Sequence, residues 1–289
     1  MPKGIVLWVV AACGGILLVL GLNTLRHAAG WSTFDDTPDK RARRLSAEWR
    51  LQMPDGPGPH PAAILLSGCD GVRDNMAYWA DVLARSGRAT LIVDSHTPRG
   101  LDQLESWRLV CAGQALPGAE RSGDVAVALA TLADMAEISD DVVILGGSHG
   151  GWTAMEFVAH AASGEVPPGL TRWPAPPEDL LGQVSAVVLL YPYCGILNGA
   201  TSGRWPPDLP ALMILGEEDS IVSTPSCLGA AEELRERGAP ITTRVLEGAD
   251  HGFDQRERSP VSTLIFDEGL RDEAENQIEA FLKDVASRD

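Results

Sequence analysis

Short, fully apolar runs alternate along most of the chain with longer segments in which apolar residues recur at helical spacing. Runs that are apolar throughout are typical of strands buried on both faces of a parallel sheet. The pattern therefore predicts an α/β fold: a mainly parallel sheet with helices on both faces and an edge strand at residues 46–53. The remaining strands are expected at residues 62–67, 89–94, 141–144, 184–191, 211–215 and 241–246, and the helices at 76–86, 119–137, 152–158, 225–237 and 267–285.

The N-terminal segment, residues 1–30, is different, because residues 4–22 form an apolar run with no charged side chain. A run of this length can cross the hydrocarbon core of a bilayer as a helix. An uncleaved signal-anchor is the favoured interpretation. A signal peptide cleaved near Ala28 or Gly30 and a lipoprotein signal ending at Cys13 are the alternatives, although the sequence stays apolar after Cys13.

The rest of the chain is expected to form one domain. Residues 31–45 are polar and charged and are interpreted as a linker, and residues 46–289 as a catalytic domain. Residues 164–182 contain several prolines and are predicted to be a surface insertion or part of a lid.

Composition narrows the classes of partner. The formal net charge is −17 and the pI is about 4.7, and the body of the chain has no basic stripe. Nucleic acid binding needs clustered lysine and arginine, so a nucleic acid partner is not expected.

The chemistry is predicted to centre on Gly146-Gly147-Ser148-His149-Gly150, which lies between a predicted strand and a predicted helix. This is the G-x-S-x-G pattern of a nucleophile elbow, in which glycines leave room for the strand and helix to pack around a strained serine. Ser148 is therefore the candidate nucleophile, with its hydroxyl exposed at a helix N-terminus.

A serine nucleophile needs a base and a carboxylate that orients the base. His251 follows the last predicted strand and Asp219 follows the preceding one, so the chain has the order nucleophile, acid, histidine at successive carboxyl ends. Glu218 and Asp250 are the alternative acids. The oxyanion is expected to be bound by the backbone N–H groups of His149 and Cys69, with Asp70 as the alternative to Cys69.

Together these motifs resemble the dienelactone hydrolase family of α/β-hydrolases over roughly residues 46–285. The resemblance implies hydrolysis of a small-molecule ester or lactone without a metal or organic cofactor. This chain has Ser148 where the namesake enzymes have cysteine, and Ser67-Gly68-Cys69 where they have a glutamate after the third strand. A serine carboxylesterase is therefore the prediction, and a related serine peptidase or a catalytically silent, membrane-tethered binding protein are the alternatives. The resemblance rests on Ser67-Gly68-Cys69-Asp70-Gly71, Asp94-Ser95-His96-Thr97-Pro98-Arg99-Gly100, the serine elbow, Tyr191-Pro192-Tyr193-Cys194 and Gly248-Ala249-Asp250-His251-Gly252-Phe253-Asp254.

Further side chains near the ends of predicted strands are candidates for the pocket. Arg99 is expected either to bind a substrate carboxylate or to form an internal salt bridge. The complete set of candidate pocket residues is His96, Arg99, Trp152, Tyr191, Tyr193 and Phe253.

In a hydrolase-type sheet, the four cysteines outside the N-terminal segment collect above the same edge, which favours the pairs Cys69–Cys111 and Cys194–Cys227. Disulfides indicate an oxidising compartment, so the catalytic domain is expected outside the cytoplasm, periplasmic or membrane-anchored. The alternative is four buried thiols in a cytoplasmic enzyme. The basic residues at 40–44 favour a cytoplasmic location for the domain, because positive charge close to an apolar helix tends to stay on the cytoplasmic side of the membrane.

Overall fold

A computed structural model describes residues 3–32, 35–258 and 262–287. Its centre is a seven-stranded sheet in the order β1-β3-β2-β4-β5-β6-β7. Among the described strands, the β1–β3 pair is antiparallel and the other pairs are parallel. The α/β prediction of a mainly parallel sheet is therefore confirmed. The strands are β1 (Arg50–Gln52), β2 (His60–Leu66), β3 (Ala89–Val93), β4 (Ile138–Gly147), β5 (Val184–Leu190), β6 (Ala211–Gly216) and β7 (Ile241–Leu246).

Helices cover both faces of the sheet because the central strands are apolar on both sides. One core packs Trp79 of α3 and Ile278 of α9 against the sheet. The other packs Leu129 of α5, Phe157 of α6 and Leu234 of α8 against the opposite face. The helices are α1 (Lys3–Ala28), α2 (Pro38–Leu45), α3 (Asp74–Arg85), α4 (Gln103–Glu105), α5 (Gly118–Ala133), α6 (His149–Ser163), α7 (Pro177–Gly182), α8 (Thr224–Glu236) and α9 (Glu268–Ala286).

Element boundaries differ from the predictions by a few residues. The largest difference is at the edge strand, which was predicted over residues 46–53. Residues Ser46–Glu48 form a 3₁₀ turn instead, and β1 has only three residues, all exposed. A very short edge strand limits pairing with a second sheet.

The predicted linker over residues 31–45 is wrong for its second half. Residues 38–45 form α2, which is capped by the Thr37 side chain and packs against α5. Arg41 of α2 is buried and bonds Asp36 at 3.1 Å and Asp124 of α5 at 2.8 Å. Buried charges must be paired, so a segment that reads as polar in sequence is part of the packed structure here.

The proline-rich segment 164–182 joins the end of α6 to the start of β5, so it lies away from the carboxyl ends of the strands. The Asp36 backbone pairs with Leu170, and Leu170 lies close to Gly123 on α5. The structure therefore supports the surface insertion and not the lid.

Helix α1 projects from the domain. Its stretch from Trp8 to Ala28 contains an 18-residue window with a mean hydropathy of 2.0, none of which is buried by the rest of the described chain. It is long and apolar enough to cross a membrane, a property that signal sequences share. The expected N-terminal hydrophobic helix is present.

Candidate active site

Ser148 lies at the sharp turn between β4 and α6. Its backbone has φ 51° and ψ −113°, a region that a residue with a side chain rarely adopts. The turn is fixed by the Ser148 N–H, which donates to Leu190 O at 2.8 Å, and by the Ser148 carbonyl, which accepts from Trp152 N at 3.1 Å. Such strain persists only where the surroundings hold it, and it projects the hydroxyl beyond the edge of the sheet.

The two outer glycines of the motif make this turn sterically feasible. A Cβ on Gly146 would lie 2.4 Å from the Gly150 backbone, and a Cβ on Gly150 would lie 2.1 Å from Leu66 O. Neither contact can be relieved by moving a flexible side chain. The elbow therefore depends on the close approach of α6 to β2 and β4.

Three side chains form one hydrogen-bonded relay at the carboxyl ends of the strands. The Ser148 hydroxyl is 2.8 Å from His251 Nε2, and His251 Nδ1 is 2.8 Å from Asp219 Oδ2. The Asp219 and His251 side chains are almost completely buried. In this arrangement His251 Nδ1–H donates to the carboxylate, which leaves Nε2 free to accept the serine proton.

The structure distinguishes Asp219 from the two alternative acids. The other Asp219 oxygen accepts from the Ile221 and Val222 N–H groups at 2.9 and 2.8 Å, which fixes the carboxylate towards His251. Asp250 instead bonds Ser220 and the His251 backbone N–H. Glu218 is exposed and lies outside the relay.

The loop after β2 lies directly beside Ser148. A Cβ on Gly68 would be 3.8 Å from the Ser148 Cβ. Within the described residues, no hydrogen bond engages the backbone N–H of Cys69, Asp70 or His149. His149 is also the first residue of α6, where N–H groups point outward. These amides, in the loop beside Ser148 and directly after it, therefore have no partner among the described residues and are available to bind a ligand oxygen.

Arg121 lies behind this loop and was missed in the sequence. Its side chain is fully buried, and Nη1 donates to Ser67 O at 2.7 Å and to His149 Nδ1 at 3.2 Å. Nε donates to Ser95 Oγ at 3.0 Å. Burial lowers the pKa of Arg121 to about 10, so it still carries its charge at neutral pH. It joins the two segments that carry the candidate oxyanion donors.

A cavity of about 260 Å³ opens above Ser148. Its wall is mostly apolar, with Trp107, Ile221 and Leu264 as its larger side chains. Asp70, Asn75 and Gln255 form a polar side, where Gln255 donates to Asp70 at 2.8 Å. Asp70 lies in the Ser67–Gly71 motif and Asn75 at the start of α3. Trp107, Ile221, Gln255 and Leu264 belong to segments with no recognisable motif, which is why sequence reasoning did not find them.

Of the six candidate pocket residues, only Tyr191 lines this cavity. His96 is buried, and burial followed by the charge of Arg121 lowers its pKa well below the usual value. Arg99 forms the internal salt bridge, with both guanidinium nitrogens on Asp124. Trp152 is buried between His149 and Tyr193, and Phe253 belongs to the core. Tyr193 does not line the cavity because its ring packs against Trp152.

Tyr191 also supports His251 from below. Its ring meets the imidazole edge-on at 4.8 Å between centroids, and its hydroxyl donates to the buried Asp254. Trp79 donates to the same carboxylate at 2.6 Å. Burial raises the pKa of Asp254, although these hydrogen bonds oppose the shift. The Tyr191 ring therefore holds the His251 imidazole from one side.

Both expected cysteine pairs are present as disulfides, Cys69–Cys111 and Cys194–Cys227. The first links the candidate oxyanion loop to the segment after α4, and both of its cysteines line the cavity. The second ties the loop after β5 to α8. Two disulfides and an exposed apolar N-terminal helix are compatible with export or membrane anchoring.

No protein-family model and no curated protein matches the sequence. Solved structures do match. A dienelactone hydrolase-like promiscuous phosphotriesterase from metagenomic libraries is 18% identical, covers 82% of this chain and 92% of its own, and has a TM-score of 0.61. A proposed dienelactone hydrolase from Klebsiella pneumoniae is 19% identical, with 80% and 90% coverage and a TM-score of 0.60. A thermophilic esterase from Thermogutta terrifontis with bound propionate is 17% identical, with 82% and 89% coverage and a TM-score of 0.56.

These likenesses establish the fold. The resemblance inferred from the motifs is confirmed at that level: the solved structures similar to this chain include dienelactone hydrolase-like proteins and esterases.

Proposed function

From the α/β-hydrolase fold that this chain shares with dienelactone hydrolase-like proteins and esterases, we propose that it is a serine-dependent hydrolase of carboxylic esters or lactones. The observation that carries the proposal is the Ser148–His251–Asp219 relay, with both hydrogen bonds at 2.8 Å and the serine at the floor of an apolar cavity. A histidine with only a structural role would not be expected to bond both a serine in a rare backbone conformation and a carboxylate held by two backbone N–H groups.

The reaction would proceed through an acyl-enzyme. Ser148 Oγ attacks the ester carbonyl carbon as His251 Nε2 takes the hydroxyl proton, and Asp219 stabilises the imidazolium. The backbone N–H groups of His149 and Cys69 stabilise the negative oxygen of the tetrahedral intermediate. His251 then protonates the leaving alcohol, and a water molecule hydrolyses the acyl-enzyme by the same steps.

The cavity constrains the substrate. A volume of about 260 Å³ accommodates a small group beside the scissile bond. The described lining residues include Asp70 and no lysine or arginine, so the wall offers no counter-charge to an anion. Neutral esters with a small apolar group at this position are therefore the expected substrates.

A Ser148→Ala variant tests the proposal. We expect turnover of p-nitrophenyl acetate to fall by about 10⁶, because loss of the nucleophile removes the acyl-enzyme route. The unfolding transition should remain close to that of the wild type, since the hydroxyl makes no other hydrogen bond within the described residues. Ser163→Ala, at the far end of α6 from Ser148, is the control.

If the Ser148→Ala protein kept a tenth of wild-type turnover, the serine mechanism would be wrong. A wild-type protein that hydrolysed none of a panel of acyl esters and lactones would contradict the whole proposal.

A further inference from the structure

The last turns of α1 are joined to the catalytic domain by specific hydrogen bonds. Asn23 Nδ2 donates to Gln114 O at 2.8 Å and lies 3.1 Å from Gln114 Oε1, and Gln114 Nε2 donates to Thr24 at 3.1 Å. His27 is buried and lies 3.1 Å from the same carbonyl. A signal peptide that is removed has no need of side chains matched to the mature domain. These contacts therefore favour a retained α1.

The position of this junction relates the end of the apolar helix to the active-site cavity. Residues 4–22 in a helix span about 29 Å, which matches the roughly 30 Å hydrocarbon core. Asn23 then lies at the edge of that core. Its partner Gln114 is two residues from Ala112, which lines the cavity. The Cα atoms of Gln114 and Ala112 are therefore at most about 7 Å apart. The junction of α1 with the domain therefore lies beside one wall of the cavity, close to the headgroup layer, which is itself about 5–7 Å thick.

Exposed apolar side chains lie next to residues of the cavity-wall segment and just beyond α1. Leu104 is 63% exposed and precedes Trp107 of the cavity wall by three residues. Ile196 is 98% exposed, and its neighbour Leu197 lies against Gly113 of the same cavity-wall segment. Trp31, just beyond α1, is 70% exposed. Tryptophan is enriched at the bilayer interface, where its ring bridges lipid and water.

We propose that the mouth of the active-site cavity faces the bilayer in which α1 is anchored, and that the substrate is a neutral ester dissolved in that bilayer. This inference rests on the proposed function. The small group next to the scissile carbonyl enters the cavity, and the long apolar remainder of the molecule stays in the lipid. Leu104 and Ile196 enter the outer layer of the membrane and hold the mouth against it.

The orientation can be tested without any activity measurement. In full-length protein with Cys13→Ser, a Leu104→Cys variant carries an environment-sensitive fluorophore, because the other four cysteines are in disulfides. In phosphatidylcholine vesicles we expect quenching of this label by lipid-borne quenchers. The control is Met53→Cys, an exposed apolar position that follows β1 at the amino end of β3, opposite the strand ends that carry the cavity.

Equal quenching at the two positions, or none at Leu104, would overturn the proposal. So would a mature protein whose mass shows removal of the first 30 residues.

The substrate class is tested by comparing two acetates. Full-length enzyme in vesicles should hydrolyse hexadecyl acetate in its own bilayer about tenfold faster than in separate vesicles, because the substrate need not cross water. The double substitution Leu104→Ser with Ile196→Ser should lower the own-bilayer rate by about tenfold, since two apolar side chains no longer enter the lipid. Met53→Ser should not change it.

Hydrolysis of water-soluble p-nitrophenyl acetate distinguishes a failure of the membrane inference from a failure of the proposed esterase function. Wild-type hydrolysis of this ester with no preference for hexadecyl acetate in the same bilayer would leave the esterase proposal standing and overturn the membrane inference. Failure to hydrolyse either acetate, with the Leu104 label still quenched, would instead count against the esterase function.

Discussion

Arg121 shows how one buried side chain can organise a candidate active site without lining its cavity. Its guanidinium holds the Ser67 carbonyl, one residue before Gly68 and Cys69, and the imidazole of His149. The two candidate oxyanion donors come from loops distant in sequence, and this contact fixes their relative position. An arginine suits the task because its planar fork donates in several fixed directions at once.

At the residue scale, Arg121→Met should therefore lower kcat with little change in KM. We expect a loss of roughly 10- to 100-fold, less than or near the cost of removing an oxyanion donor outright. Steady-state kinetics on p-nitrophenyl acetate measures both constants, and Arg121→Lys should recover part of kcat. Arg235→Met, which removes a guanidinium from a backbone carbonyl far from the cavity, is the control. A raised KM at unchanged kcat would contradict the positioning role.

The element with most influence on the site is the segment after β3 that contains α4 and Cys111. It supplies Trp107 and Ala112 to the cavity wall, and its disulfide holds it to the candidate oxyanion loop. A disulfide stabilises mainly by restricting the unfolded chain, and here it also joins two walls of one cavity. The Cys194–Cys227 disulfide encloses a loop of similar length but lies outside the cavity lining.

At the element scale, loss of the two disulfides should therefore have similar effects on stability and different effects on activity. Replacing either pair by serine should lower the free energy of unfolding by about 2–4 kcal/mol. The Cys69→Ser with Cys111→Ser variant should in addition lose most of kcat at a temperature where it is fully folded. Urea unfolding and kinetics on both double variants provide the comparison. Equal activity in the two would show that the first disulfide has only a structural role.

The stability of the whole molecule should depend on pH through buried groups around the elbow. Burial, with the charge of Arg121, lowers the pKa of His149 to about 3. In the unfolded chain this histidine titrates near 6.5, so between pH 6.5 and 3 the unfolded state binds more protons. Burial alone would raise the pKa of Asp124, but the charges of Arg99 and Arg41 lower it below its ordinary value. Its stabilisation is present above about pH 4 and is lost on further acidification.

At the scale of the molecule, the free energy of unfolding should therefore fall as pH decreases below about 6.5. His149 alone contributes a slope of up to about 1.4 kcal/mol per pH unit. Urea titrations from pH 7.5 to 4.5 on the wild type and on His149→Gln measure this slope. The variant should show a shallower dependence across the same range. Parallel curves for the two proteins would contradict a neutral, buried His149.

Local signals in the sequence determined the position of Ser148, because apolar runs, glycines and a helix pattern within a dozen residues specify the elbow. The order of the strands then placed Asp219 and His251 at the same edge, since parallel strands must bring their carboxyl ends together. The two cysteine pairs followed from the same reasoning. Fold class and relay were therefore accessible from the sequence.

The cavity wall was decided only by the tertiary structure. Whether His96 or Phe253 faces the cavity or the core depends on how loops pack, and no local pattern encodes that. Arg41 reads as part of a charged linker until Asp124, from a distant helix, is brought to it. Arg121 likewise bonds groups from three separate segments of the chain, and only the folded structure brings these together. Contacts between residues far apart in the chain carry no signature in a single sequence, because each partner alone looks like an ordinary polar side chain.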